Sequence, residues 1–500
     1  MERINLVVNF RPRIRLTSVC NRKCSYCFAV DYLGEEKQDK EIPVEVMDHI
    51  LAMCHREGIC SVAWQGGEPT LHSKLADIIK LHKKYNIQAT IFTNGIINSP
   101  TIYEMKGIVS SILVNLNEPS TYEEKEFEQV ISNIHKMRSL YGAERVAIGI
   151  NVYSAQMDTS YIEKYAKLLK VKEVRIDITR PAPSRTNRYI SFGQVKEVFN
   201  VALDLARSLY NAGVSRVHFD CPIPLCVLSE EERTEFWGFM HDENKIGVCR
   251  SGLDISTTGD LSSCFCSMPF KRISINKFEN LTQAHLFLKA IEDEIRWNRC
   301  TNVRCKKCVF FQHHKCQGGC LGYKISPQEY IDDNFLSQNK ELMNVCSQLA
   351  SACIKFNKGA AEEALSVCKG IKSISRSVDA LINKLTLMCL VGMKHMEIKD
   401  VNMALINWWE NAERPITESA NLIMTVSQTN IAKAILLAEM SRSHAEDNLL
   451  SHPEIYLLYH ALFELYRKNG NLDESTKYLL MYYKTAPVTE RTINKIDLEE

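Results

Sequence analysis

The sequence predicts an α/β protein whose parallel sheet forms a partial (β/α)6 TIM-like barrel, followed by a cysteine-rich region and an all-α C-terminal region. Six short β-branched runs lie between residues 10 and 180, each separated from the next by enough chain for a crossover helix. Six units are fewer than a closed eightfold barrel requires. Twelve cysteines then fall between Cys221 and Cys353, and the chain beyond about residue 330 has an almost wholly helical pattern.

The six predicted strands are short and rich in β-branched residues: RIRLTSV, SVAWQ, IQATIFTNG, SILVNL, RVAIGINV and EVRIDIT. Amphipathic stretches separate them, as in EIPVEVMDHILAMCHREG, where Pro43 suits the first turn of a helix and Gly58 its end. The stretch PAPSR indicates a break after the sixth run, and residues 192–213 have the pattern of one more amphipathic helix.

Length and composition indicate a globular protein of several domains. With 500 residues we expect domains over residues 1–220, 221–353 and 354–500. The net charge of +1 gives no electrostatic reason to expect nucleic acid or an anionic membrane as a partner. The N-terminus has no signal-peptide pattern, and no run approaches the roughly 18 apolar residues of a membrane span. We therefore expect a cytoplasmic protein.

Nineteen cysteines are unusual for such a chain. In a reducing cytosol metal binding is the better explanation than disulfides. Four cysteines stand singly in apolar or helical surroundings and are expected to be small buried hydrophobes: Cys54, Cys60, Cys368 and Cys389.

The stretch SVCNRKCSYCFAV places Cys20, Cys24 and Cys27 on one loop directly after the first predicted strand. A tetrahedral zinc site needs four ligands, whereas three thiolates suit an iron–sulfur cluster that keeps one iron open. Zinc completed by a distant ligand and a fortuitous run remain alternatives at this point.

These residues resemble the radical SAM superfamily, whose signature is Cys-x3-Cys-x2-Cys with an aromatic residue before the last cysteine, here Tyr26. The stretch WQGGEPT after the second strand matches the GGEP motif of that family. The resemblance implies S-adenosylmethionine and one 4Fe-4S cluster as cofactors, with the backbone of Tyr26 against the adenine. The expected cofactor-binding residues of the motif are Gly66, Gly67, Glu68 and Pro69.

Polar residues end three later strands, where the side chains of a βα barrel usually face a ligand. We expect these residues to contact the cofactor: Thr93, Asn94, Asn115 and Asn151. The resemblance implies reductive cleavage of S-adenosylmethionine to methionine and a 5′-deoxyadenosyl radical, which abstracts a hydrogen from the substrate. No catalytic acid or base can be assigned, and His218 and Asp220 fit a core histidine and a cap better.

A second pattern reads Cys249-x9-Gly259-x4-Cys264, then Cys305-x2-Cys308-x7-Cys316-x3-Cys320. In isolation it suggests zinc. Downstream of a radical SAM core it resembles the SPASM extension, which holds two auxiliary 4Fe-4S clusters. Here seven residues separate the second and third knuckle cysteines, where the family usually has five.

Carried over from that family, the first auxiliary cluster would use Cys249, Cys264 and Cys320. Its fourth ligand stays open between Cys226, Cys266, Cys300 and none. The second would use Cys305, Cys308, Cys316 and a distal thiol, for which Cys346 is preferred to Cys353. Cys221 and Cys226 could be ligands, reactive thiols or packing residues.

The resemblance implies an oxidoreductase that modifies a ribosomally made peptide or protein, for example by a thioether or carbon–carbon crosslink. A flavodoxin or ferredoxin would supply electrons. The alternatives are a sulfatase-type maturase that makes formylglycine, from which the stretch NLNEP departs, and a non-catalytic zinc-ribbon or helical-repeat adaptor. Residues 456–487 resemble one tetratricopeptide-type helix pair, and the helical tail is hypothesised to bind a leader peptide or partner protein.

Overall fold

The structure is a computed structural model. The residues that it describes are 8, 10–33, 40–233, 247–249, 252–266, 273–325, 339–393, 397–412, 415–446 and 455–486. They form two compact units, the first containing most described residues up to Cys346 and the second those from Ser347 onward. Within this described part of the chain, no helix is long and apolar enough to cross a membrane.

The first unit is built on one mixed sheet with the order β10-β9-β8-β1-β2-β3-β4-β5-β6-β7. Strands β1 to β7 are parallel and adjacent in chain order, β8 pairs in parallel with the other edge of β1, and β9 and β10 extend that edge in antiparallel fashion. The strands are β1 Pro12–Thr17, β2 Ser61–Gly66, β3 Gln88–Thr93, β4 Val109–Asn115, β5 Val146–Val152, β6 Glu173–Ile178, β7 Arg216–Phe219, β8 Leu253–Ile255, β9 Asp260–Ser262 and β10 Ile273–Ser274.

This sheet confirms the parallel α/β architecture and the six predicted strands, and it adds two further parallel strands, β7 and β8. It does not close on itself, because β7 lies at one edge and β10 at the other. An open sheet leaves the carboxyl ends of the parallel strands along one side, where ligands of such folds bind.

Helices follow the parallel strands as the sequence predicts. They are α1 Val44–Glu57, α2 Leu75–Tyr85, α3 Ser99–Glu104, α4 Glu124–Tyr141, α5 Ser160–Leu169 and α6 Val195–Asn211, followed later by α7 Leu281–Asn298 and α8 Val309–Gln312. Pro43 occupies the N-cap of α1, and Gly58 ends it at φ 75°, a left-handed conformation that favours glycine. Most residues of the 18-residue α7 are buried, so the region after residue 221 also has an apolar core.

The second unit is helical, which confirms the predicted all-α C-terminal region. Its helices are α9 Lys340–Asn357, which begins in the first unit, α10 Ala361–Gly370, α11 Arg376–Gly392, α12 Ile398–Asn411, α13 Pro415–Ser427, α14 Ile431–Glu446, α15 Tyr456–Lys468 and α16 Leu472–Thr485. Consecutive helices pack in pairs, α11 on α12, α13 on α14 and α15 on α16. The last pair is the one that the sequence indicates, with Asn471 capping α16 by accepting a hydrogen bond from the Glu474 amide.

Candidate metal centre

The three-cysteine loop directly follows β1, and its backbone folds back on itself. The Cys27 amide donates to the Cys24 carbonyl at 3.1 Å, and the Val30 amide donates to the Cys27 carbonyl at 3.3 Å. Burial, with the nearby charges of Glu68 and Cys24, raises the pKa of Cys20 to about 11. Burial and the charge of Cys24 likewise raise the pKa of Cys27 to about 12. The three thiols are therefore grouped, and a cation placed among them would stabilise their thiolates.

The end of β2 lies directly against this loop. The Gly67 amide donates to the Thr17 carbonyl, and the Glu68 amide donates to the Val19 carbonyl, each at 2.8 Å. A Cβ on Gly66, whose φ is 149°, would lie 2.3 Å from the Thr17 carbonyl oxygen, and one on Gly67 would lie 2.1 Å from that of Val19. The paired glycines therefore allow close contact between two backbone segments, a role that the sequence analysis did not anticipate.

Glu68 is fully buried and joins the ends of β2 and β3. Its carboxylate accepts hydrogen bonds from the Thr70 and Thr93 hydroxyls and from the Asn94 amide, at distances between 2.7 and 3.0 Å. Burial raises the pKa of this carboxyl group. Glu68 and Thr93 are both expected to bind the cofactor. In the structure, the Glu68 carboxylate and the Thr93 hydroxyl hold the ends of β2 and β3 together.

Asn94 connects the end of β3 to the first cysteine. Its side-chain amide donates to the Asn21 side-chain oxygen at 2.6 Å and lies 4.0 Å from the Cys20 sulfur. Its own oxygen accepts from the Ile96 amide at 2.9 Å. The structure thus places Asn94 beside the first thiol, and its contact with the cofactor stays a prediction.

Farther along the same side of the sheet, Asn115 accepts a hydrogen bond from Arg175 at 2.7 Å. Asn151 pairs in register with Asp177. Two other polar residues here have charged partners. The Nε2 atom of His218 lies 3.0 Å from a carboxylate oxygen of Glu173, and Asp220 forms an ion pair with Arg175. Neither residue is therefore assigned a catalytic role.

Tyr26 is held on both its ring and its backbone. Its ring stacks on Tyr153 with centroids 5.5 Å apart, and the guanidinium of Arg188 covers the Tyr153 ring at 4.6 Å. Asn187 donates to the Tyr26 carbonyl at 3.1 Å, and the Arg188 amide donates to the Ser25 carbonyl at 2.8 Å. The segment after β6 therefore clamps the cysteine loop.

A cavity of about 240 Å³ lies beside this clamp. Its walls include Tyr153, Gln156, Arg188, Gln194 and Glu197, from the end of β5 and the start of α6. Because Tyr153 also stacks on Tyr26, the cavity adjoins the cysteine loop.

A buried arginine joins the same loop to the later cysteines. The guanidinium of Arg15 lies over the rings of Tyr32 at 4.3 Å and Phe265 at 4.7 Å, and burial lowers its pKa to about 10. Phe265 stands between Cys264 and Cys266 in the chain and packs on Ala29 and Cys27. The predicted first centre and the later cysteine group are thus in contact through one aromatic cluster.

One later group of thiols contains the three cysteines expected to hold the first auxiliary cluster. Cys249 interacts electrostatically with Cys264 and Cys320. Cys266 lies within hydrogen-bonding reach of Cys264 and Cys320, and its thiol lowers the pKa of Cys320 to about 7. Cys221 also lies near Cys320, beside Asp177 and Arg180. Of the three candidates for a fourth ligand, the structure brings Cys266 to this group.

A second group contains Cys305, Cys308 and Cys316, as the spacing predicts. Their electrostatic neighbours include Cys226. The ammonium of Lys324 lies close to Cys300, Cys305 and Cys316, and burial lowers its pKa to about 8.

The two candidates for a distal ligand, Cys346 and Cys353, are both buried. Burial raises the pKa of Cys346 to about 12, and no other thiol in the described part of the chain contributes to that shift. Cys353 interacts instead with Cys368 and Cys389. The remaining isolated cysteines are buried as expected, except that Cys60 is exposed and that expectation was wrong.

The donor sets fit iron–sulfur chemistry. Thiolates on a four-iron cluster each bind a different iron, so they stand apart rather than converge on one point. The described residues contain no group of three or more His, Cys, Asp or Glu side chains placed to share a single metal ion. The glycine contacts, Asn94 and the clamp at Asn187 add a preformed cradle around the first three thiols.

Sequence reasoning missed the clamp and the buried arginine. PAPSR indicated only a break, although Asn187 and Arg188 follow it directly. A polar pair after a proline-rich turn at a strand end was the available signal, since such loops line ligand sites.

Comparison with known proteins places this site in a family. Residues 14–154 match the Radical SAM superfamily. The chain is 34% identical over 97 residues to a probable GTP 3′,8-cyclase of Thermoplasma volcanium, covering 19% of this chain and 28% of that protein. It is 22% identical over 341 residues to a cysteine-type anaerobic sulfatase-maturating enzyme of Clostridium perfringens, covering 63% and 89% respectively.

Among solved structures, SuiB of Streptococcus suis bound to S-adenosylmethionine aligns with a TM-score of 0.45 and 17% identity, over 65% of this chain and 77% of that one. The chain spans 28% of the length of the Thermoplasma relative. The chain thus contains a parallel α/β domain with three cysteines on the loop that follows its first strand. Residues 14–154 are a radical SAM domain.

Proposed function

We propose that this protein is a radical SAM enzyme that modifies a ribosomally made peptide or protein, using one S-adenosylmethionine-binding 4Fe-4S cluster and two auxiliary 4Fe-4S clusters. The observation that carries the proposal is the cysteine loop, which is locked by the Gly66–Gly67 contact on one side and by Asn187 and Arg188 on the other. The loop is thereby positioned before any cofactor binds.

Within this site Cys20, Cys24 and Cys27 would hold the cluster. When bound, the cluster and S-adenosylmethionine together supply one-electron cleavage of the sulfonium and hydrogen abstraction from the substrate. The protein orients these groups: Asn94 contacts the first thiol, and Tyr26 and Tyr153 form a stacked wall. The buried Arg15 and Phe265 close the far side of the loop and exclude water from it.

A peptide or protein substrate is supported by the alignment with the sulfatase-maturating enzyme. That alignment is much longer than residues 14–154 and so extends beyond the radical SAM domain. Alignments with the GTP cyclases are shorter and cover 17 to 37% of the chain. The cavity beside Tyr153 has charged walls at Arg188 and Glu197 and is a site where a substrate side chain would enter.

The same alignment favours a second candidate, a maturase that oxidises a cysteine or serine of a sulfatase to formylglycine. The two candidates differ in the product. A crosslink removes a pair of hydrogens from a peptide and creates no aldehyde, whereas formylglycine carries an aldehyde that reacts with hydrazides.

Anaerobic reconstitution tests the enzyme class. The reduced protein is expected to convert S-adenosylmethionine to 5′-deoxyadenosine and to bind about twelve irons per chain. Replacing Cys20, Cys24 and Cys27 together by alanine should abolish this cleavage and leave about eight irons. Stoichiometric zinc without iron-dependent absorbance would mean an adaptor instead of an enzyme.

Co-expression tests the substrate class. Short peptides encoded beside the gene, and a sulfatase-derived peptide, are each expressed with the protein and with the triple alanine variant. A hydrogen-pair loss without hydrazide labelling, confined to the active enzyme, supports crosslinking, and hydrazide labelling of the sulfatase peptide supports the second candidate. No mass change in any peptide, together with turnover of a nucleotide such as GTP, would contradict both.

A further inference from the structure

The second group of later cysteines contains a thiol that its sequence pattern does not include. Cys226 lies in the short turn Leu225–Val227, outside both cysteine knuckles. It interacts electrostatically with Cys305 and Cys308, and Cys316 in turn interacts with Cys226 and Cys308. The turn that carries Cys226 therefore lies near the knuckle, although the two are far apart in the chain.

Backbone contacts hold this turn against the knuckle. The Leu225 amide donates to the Cys316 sulfur. The Gly247 amide donates to the Ile223 carbonyl at 3.0 Å, and the Gln317 amide donates to the Gly247 carbonyl at 2.8 Å. The stretch before Cys226 is therefore fixed beside Cys316 by a continuous set of main-chain hydrogen bonds.

Two glycines of the knuckle permit this approach. A Cβ on Gly319 would lie 3.2 Å from the Pro224 ring, and one on Gly318 would lie 3.5 Å from the Cys305 sulfur. Both glycines have a positive φ, 83° at Gly318 and 92° at Gly319, which residues with a side chain rarely adopt. The knuckle therefore packs closely against the turn that carries Cys226.

The distal thiol preferred from sequence has different surroundings. Cys346 lies on the helix α9 and is completely buried. A single apolar thiol of this kind fits packing better than ligation. Cys226 is exposed, so a cluster could reach it without opening the core.

We propose that Cys226, in place of Cys346, completes a four-thiolate site with Cys305, Cys308 and Cys316 that holds the second auxiliary 4Fe-4S cluster. The proposal rests on the proposed function, because it assigns a ligand of one of its clusters.

The test uses the full chain in which Cys20, Cys24 and Cys27 are alanine, so that iron binding is measured without S-adenosylmethionine cleavage. On this background Cys226→Ala is expected to lose about four of about eight irons or to retain a three-iron cluster with its own electron paramagnetic resonance signal. The matched variant Cys346→Ala should keep the full iron content and spectrum. Full iron in Cys226→Ala, or loss in Cys346→Ala alone, would overturn the proposal.

A second measurement needs no substitution and so does not depend on the folding of a variant. The unmodified protein is alkylated with iodoacetamide before and after anaerobic cluster loading, and modification at each cysteine is read by mass spectrometry. We expect loading to reduce alkylation of Cys226 at least about tenfold. Equal alkylation in both states would overturn the assignment. Cleavage of S-adenosylmethionine by the same preparation tests the proposed function separately.

Discussion

Gly67 and Val19 lie in direct backbone contact, so that a single methyl group on Gly67 would approach the Val19 carbonyl oxygen to 2.1 Å. Neither backbone can move away easily, because Glu68 and Val19 share a hydrogen bond next to the contact. The position of the cysteine loop therefore depends on the lack of a side chain at Gly67, which directly follows β2.

The first prediction concerns this contact. Gly67→Ala should displace the loop at Cys20, destabilise the fold by about 1–3 kcal/mol and sharply reduce iron bound by the first cluster. Iron content and 5′-deoxyadenosine formation measure the effect. Gly193→Ala is the matched control, since a Cβ there would meet no atom within 4 Å. Unchanged iron and cleavage in Gly67→Ala would contradict the prediction.

A second prediction concerns Glu68. In Glu68→Gln one acceptor oxygen becomes an NH2 group that faces donors, which leaves buried groups unpaired at a cost of about 1–3 kcal/mol. The KM for S-adenosylmethionine should rise because the ends of β2 and β3 separate. Chemical denaturation and steady-state kinetics measure both quantities. The exposed Glu45→Gln on α1 should leave them unchanged.

Asn187 provides a third prediction. It donates to the carbonyls of Tyr26 and Arg180 and accepts from the Ala182 amide. Asn187→Ala should keep the iron of the first cluster, whose thiols are untouched, and weaken S-adenosylmethionine binding through the loosened Tyr26. Equilibrium dialysis with iron analysis separates the two effects. Asn200→Ala, at an exposed position of α6, is the control, and equal binding in both variants would refute the clamp.

A fourth prediction concerns pH. Burial lowers the pKa of His82 from 6.5 to about 4, and the neutral ring accepts from Trp64 and contacts the Ile87 carbonyl. The unfolded chain takes up a proton that the folded state resists. This contribution, about 3 kcal/mol, is therefore complete above pH 6.5 and is lost as the pH falls toward 4.

The anaerobic melting temperature should accordingly fall between pH 7 and pH 5 more steeply in the unmodified protein than in His82→Gln. The exposed His135→Gln should follow the unmodified protein. Parallel pH profiles for all three proteins would show that other groups dominate.

Periodicity was sufficient to predict the strands of the radical SAM domain, because each buries a β-branched face that is visible within a few residues. It missed β8 to β10, which have two or three residues each and whose pairing depends on distant neighbours. It also predicted no separate strand at β7, which contains His218.

Motif spacing predicted the grouping of Cys20, Cys24 and Cys27 because these residues are local. It could not reveal what the glycine pair contacts, since Thr17 and Val19 belong to another strand and loop. The partners of Tyr26 at Asn187 and of Cys316 at Cys226 are also remote in the chain. Contacts of this kind follow from tertiary packing, which no local pattern encodes.

The clamp at Asn187 and Arg188 has a consequence for synthesis. Chains emerge from the ribosome N-terminus first, at about 5–20 residues per second. The cysteine loop is therefore exposed long before the segment that secures Ser25 and Tyr26 exists. The clamp can form only after more than a third of the protein has been translated, so the three thiols of the loop lack this cover during that interval and are open to oxidation.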